Sequence, residues 1–172
     1  TKQQPFYMFW RSTFDNSNFK EDLELLSTFY RNKGYRDFEI IKDTIQYYND
    51  SKKMDIILSI SEGEKYKYRN FSWEGMSLFN EEDLQTTLAL EKGEQFSDED
   101  FNLALYSRVQ GLYLDRGYIY SRIEPQITPI GIDSLDVHFV ITENHKVYIN
   151  NIIVQGNTRT RENVIRRQLR IF

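Results

Sequence analysis

The sequence predicts an α+β protein built from tandem copies of one strand–helix–helix–strand–strand unit. Three observations carry that reading. Two stretches echo each other at a spacing of roughly 80 residues, a domain-sized period rather than a solenoid one. Each contains an amphipathic segment closed by Gly-Tyr (Gly34-Tyr35, Gly117-Tyr118). Each then shows a strand of strict alternation: Ile56, Leu58 and Ile60, and again Val137, Phe139 and Ile141.

The elements follow in order. Asn18 through Lys33 has helical spacing and is closed by Gly34, because the residue after the last turn commonly needs a positive φ that glycine adopts cheaply. Extended runs are expected over 36–48 and 119–130, followed by loops at Asn49–Lys53 and Gly131–Ser134. The alternating strands return into short hinges, "EGEKY" and "ENHKV". A further strand holds Phe71 and Trp73, or Ile152 and Val154 in the echo, and ends at glycine. Asn80, or Thr160, then caps a short helix. Ser97, with Asp100 three residues on, opens the next helix, whose Phe101, Leu105, Val109 and Leu112 recur at helical spacing up to Gly117. Cut at the hinges, the chain divides into the second part of one unit (1–65), a complete unit (66–146) and the first strand and helix of another (147–172). It begins abruptly at Thr1 and reads as a piece of a longer protein.

Composition narrows the function. The net charge of −4 offers no basic stripe for nucleic acid. The absence of cysteine removes disulfides, thiolate metal sites and a cysteine nucleophile together. There is no apolar run of about 18 residues to serve as a spanning helix. Of the two histidines, His138 falls in an alternating strand and His145 in a hinge. Neither has a second set of ligands, so no metal and no cofactor are expected. The acidic runs Glu81-Glu82-Asp83 and Asp98-Glu99-Asp100 sit in first helical turns, where negative charge meets the positive end of the helix dipole. No nucleophile elbow, metalloprotease helix or phosphate loop is present, and no catalytic residue is assigned.

The tandem unit resembles the POTRA domain, specifically that of BamA-like outer-membrane assembly proteins. The resemblance rests on Val154-Gln155-Gly156-Asn157 followed by the basic helix around Ile165 to Leu169, on the "Y-x-x-x-G-Y" pattern at Tyr30–Tyr35 and Tyr113–Tyr118, and on Ile60-Ser61-Glu62-Gly63. Trp73-Glu74-Gly75-Met76 lacks the asparagine, and Asn144 replaces the hinge glycine. The resemblance implies a three-stranded mixed sheet with two helices on one face, the last strand of the unit central and its second strand an open edge. It also implies a periplasmic location, a membrane barrel elsewhere in the protein, lipoprotein partners and unfolded outer-membrane protein clients.

An open edge can accept an extended peptide as an added strand. Pro125 and Pro129 blunt the 119–130 edge, whereas 37–48 has no proline. Its residues Phe38, Ile40, Lys42, Thr44, Gln46 and Tyr48 are therefore the expected peptide-binding set. The arginines Arg159, Arg161, Arg166, Arg167 and Arg170 form a possible contact for an anionic partner, lipid head groups included; the alternative is a solvated helix face. Strand 147–155 of one copy could also complete the sheet of 36–61 in another, a head-to-tail contact. The rival functions are a purely structural scaffold for partner subunits and the POTRA arm of a secretion-pore or cell-division protein.

Overall fold

The Gly-Tyr signals mark how each helix stops. The computed structural model describes residues 14–48 and 53–169. Helix α1 (Asn16–Asn32) starts at Asp15, whose carboxylate accepts from Ser17 N at 3.0 Å. At its end Gly34 N donates to Arg31 O and Tyr35 N to Tyr30 O, with Gly34 at φ +97°. That is the Schellman closure, and the Tyr30 and Tyr35 rings meet edge-on at 5.7 Å. The second copy repeats it: Gly117 N donates to Leu114 O and Tyr118 N to Tyr113 O. The first and last residues of "Y-x-x-x-G-Y" are thus the acceptor and donor of one bond.

Strands β1 (Glu39–Tyr48) and β2 (Lys53–Ser61) pair antiparallel. Of the expected loop at 49–53, residues 49–52 lie outside the described residues and Lys53 already belongs to β2. The register shifts between Ile40 and Lys42, leaving Ile41 as a bulge. Phe38 precedes β1 and is buried.

The complete unit follows. β3 (Lys67–Glu74) pairs parallel with β5 (Ser134–Thr142), and β4 (Arg122–Ile130) pairs antiparallel with β5, giving the order β3-β5-β4. The central strand is the last of the unit and the second is an edge, as the resemblance implies. Along β5, Leu135, Val137, Phe139 and Ile141 point inward and are buried. Helix α2 (Glu81–Leu88), capped by Asn80 Oδ1 on Asp83 N at 2.7 Å, buries Leu84 and Leu88 against them. The second helix begins at Ser97, whose hydroxyl accepts from Asp100 N at 3.3 Å. It runs as α3 (Asp98–Asn102), a π-helical stretch (Leu103–Val109) and α4 (Gln110–Asp115). The wider π turn inserts a residue into the helical spacing, so Ala104, Leu105, Val109 and Tyr113 all reach the core, while Leu112 is only partly buried. Trp73 stacks on Phe139 at 4.2 Å, and Phe101 lies 6.2 Å from the same ring.

Two expectations fail in the last segment. Residues 147–155 form no strand, since no described strand lies alongside to take up their backbone groups. Thr160 does not cap the helix that follows: α5 (Glu162–Arg166) starts at Arg161, with no side-chain cap bond.

Candidate binding edge

The candidate site is the free side of β1. Among the described residues β1 has one neighbour, β2, and no described strand pairs with the N–H and C=O groups of its other side. β4 is likewise an edge, but Pro125 and Pro129 lie within it and supply no donors. β1 is ten residues long without proline.

The bulge decides which β1 side chains share a face. Opposed residues in an antiparallel pair point to the same side. Ile40 therefore sides with Ile60, Ile45 with Ile56 and Tyr47 with Met54. Lys42, Thr44, Gln46 and Tyr48 oppose Ser59, Ile57, Asp55 and Lys53 on the other face. There the Tyr48 hydroxyl donates to Gln46 Oε1 at 2.8 Å. Ile41 and Tyr47 are 65% and 58% exposed, a large apolar presence on this strand. The expected six-residue set is thereby divided. Phe38 is not on the edge at all: it is 3% exposed and stacks on Tyr30 at 4.1 Å, anchoring the turn that leads into β1. Ile40 faces opposite to the remaining four.

The edge is held by a feature repeated in both units. The Tyr30 hydroxyl donates to Glu62 Oε1 at 3.1 Å, tying α1 to the end of β2. In the second unit Tyr113 Oη reaches Glu143 at 3.4 Å. Glu143 also accepts from Ser77 N at 2.7 Å, from Ser77 Oγ, and from Leu78 N at 3.0 Å. Partial burial works to raise the Glu143 pKa, but these donors outweigh it and hold the carboxyl below the usual glutamate range. The paired hinges "EGEKY" and "ENHKV" begin at Glu62 and Glu143, but the sequence reading missed what these acids do. The signal was available: each acid recurs with its tyrosine in both copies.

Comparison with known proteins decides the family. A model of POTRA, the surface antigen variable number repeat, matches residues 7–63 and again 66–144. The chain belongs to the POTRA family. The outer membrane protein assembly factor BamA of Neisseria meningitidis is 32% identical over 160 residues, covering 91% of this chain and 20% of that protein. The BamA of Buchnera aphidicola is 27% identical over 175 residues, covering 98% of this chain and 28% of that protein. The chain thus spans a fifth to under a third of these relatives. Among solved structures, Haemophilus influenzae BamA POTRA3-5 superposes with a TM-score of 0.70 at 21% identity, over 94% of this chain and 64% of that one. At that identity the likeness concerns the fold. The POTRA units of this chain are similar to those of the BamA proteins named above.

Arg166 donates to Glu162 Oε1 and to Ile152 O, both at 2.7 Å, so it is committed to its own segment. Arg161 precedes α5, Arg159 and Arg167 are exposed, and Arg170 lies outside the described residues. His138 sits on the outer sheet face with Nδ1 2.8 Å from Ser72 Oγ and Nε2 3.2 Å from Glu74. His145 lies beside the Tyr120 ring at 5.4 Å. Among the described residues no group of three or more potential ligands could hold a metal, and no helix is long and apolar enough to cross a membrane.

Proposed function

We propose that these POTRA units act in the periplasm as a non-catalytic binding and scaffolding arm of an outer-membrane β-barrel assembly protein, and that β1 captures extended client segments by adding them as a strand. The observation that carries the reading is the contrast between the two edges. β1 offers ten residues without proline, among them the exposed Ile41, Tyr47 and Tyr48, while β4 contains two prolines. Backbone pairing depends little on client side chains, which suits a protein that handles many unfolded barrels. The face of Lys42, Thr44, Gln46 and Tyr48 then meets alternate client residues, and Ile40, Ile45 and Tyr47 meet the others. About five backbone bonds at roughly 1 kcal/mol net each, less the ordering of the peptide, leave an affinity near millimolar. Weak capture lets the client go.

The division at the hinges, 1–65, 66–146 and 147–172, is proposed as the boundaries of successive units, with partner lipoproteins docking along the array. Amide NMR titration with a peptide copied from an outer-membrane strand, against a proline-substituted control, tests the reading. Shifts concentrated on 39–48 and absent with the control support strand capture. No shifts at millimolar peptide, or shifts confined to the helices, would leave the arm a scaffold only.

A further inference from the structure

The two hinges are built on one plan, and the first carries extra ties. In both, the glycine that stops the helix offers its carbonyl to the first residue of the next unit. Tyr66 N donates to Gly34 O at 2.9 Å and Val147 N to Gly117 O at 2.8 Å. In both, a hinge lysine lies over the glycine: a Cβ on Gly34 would come within 3.0 Å of Lys65 Cγ, and one on Gly117 within 3.4 Å of Lys146 Cγ. This much is repeat architecture.

The first joint adds three side-chain bonds between the units. Asn32 Nδ2 donates to Glu99 Oε2 at 3.1 Å while Glu99 N donates back to Asn32 Oδ1 at 3.0 Å. The Tyr66 hydroxyl donates to Asp37 Oδ2 at 2.7 Å, and Tyr66 is itself buried. With the backbone bond at Gly34, the units are attached at three points: Gly34 O to Tyr66 N, Asn32 at the end of α1 to Glu99 at the start of α3, and Asp37 in the turn before β1 to the Tyr66 hydroxyl. A single backbone bond lets two bodies swing about it, whereas attachments at three separated points fix an orientation. At the second joint the repeat places Tyr120 where Asp37 stands and Val147 where Tyr66 stands, so the phenol–carboxylate tie has no counterpart. There an open cleft of about 600 Å³ lies between Tyr120, Arg122, Asn144 and His145.

We propose that the first joint is a lock, in which Asn32–Glu99 and Tyr66–Asp37 hold units 1–65 and 66–146 in one relative orientation and so fix where the β1 edge points. The lock stands whether or not β1 binds clients. Because the chain has no cysteine, spin labels can be placed cleanly at Ser59→Cys in one unit and Thr128→Cys in the other. Double electron–electron resonance should give a single narrow distance distribution. Asn32→Ala with Tyr66→Phe should broaden it at least about twofold, each single substitution giving an intermediate width, with the far-ultraviolet circular dichroism unchanged. A distribution already broad in the parent chain, or one whose width the double variant leaves unaltered, would overturn the proposal.

Discussion

Glu143 closes the complete unit, and its replacement measures how much that closure contributes. In Glu143→Ala, Ser77 N and Leu78 N lose their acceptor, and the Tyr113 hydroxyl loses its partner inside the fold. Hydrogen bonds to a charged acceptor contribute about 1.5–3 kcal/mol each. Ser77 is exposed, so water takes over much of that bond; Leu78 N and Tyr113 Oη are less accessible. The expected loss is therefore about 2–3 kcal/mol, read as a lowered urea midpoint at unchanged slope and a drop of roughly 8–20 °C in Tm. Glu143→Gln keeps one acceptor oxygen and should lose about half as much. Glu62 is the internal control: it is exposed, with Tyr30 at 3.1 Å as its hydrogen-bond partner, so Glu62→Ala should cost less than about 1 kcal/mol. Equal losses at the two positions, or a Glu143→Ala loss below about 0.5 kcal/mol, would refute the assignment.

Further outcomes follow from the same geometry. The Glu143 carboxyl is held below its usual value of 4.5, so its contribution is fully present above that value and is lost as pH falls through the lower folded one. Urea midpoints should stay flat from neutrality to about pH 5 and drop below about pH 4, and the drop should shrink in Glu143→Gln. Phe139→Ala removes the ring against which Trp73 and Phe101 stack and should cost about 3–5 kcal/mol in the same assay. Gly75→Ala should be worse tolerated than any other glycine replacement, because φ is +82° and the added Cβ would lie 2.1 Å from Ile141 O; soluble yield and circular dichroism would report a chain that no longer folds. Gly111→Ala meets nothing within 4 Å inside α4 and should stabilise by about 0.5–1 kcal/mol.

The elements that sequence reading placed well are those governed by local chemistry. Asn80 and Ser97 announce their helices because the capping bond spans three residues, and Gly34 and Gly117 announce the stops because the closure spans six. Strand β5 is legible because Leu135, Val137, Phe139 and Ile141 alternate without interruption. The Ile41 bulge is different. Ile40, Ile41 and Lys42 read as ordinary alternation, and only the pairing with Ile60 and Ser59 shows that a residue is skipped, which moved Ile40 off the face assigned to it. The segment 147–155 carries a strand's pattern, but a strand exists through its neighbour. Phe38 was placed on the edge by parity, and its stacking on Tyr30 depends on a turn that parity does not describe.

"Y-x-x-x-G-Y" stops the helix through Tyr35 N on Tyr30 O, ties the helix to the returning strand through Tyr30 Oη on Glu62, and receives the next unit through Gly34 O. Termination, internal closure and connection thus act through a handful of consecutive residues. Damage to the closure therefore reaches the joint, because a Gly34 carbonyl turned by a failed Schellman bond no longer meets Tyr66 N. Such coupling gives a tandem array a defined course from unit to unit without a large apolar interface. The side-chain ties at Asn32 and Tyr66 are then free to differ between joints, so stiffness at each one is set separately from the fold of the units it connects.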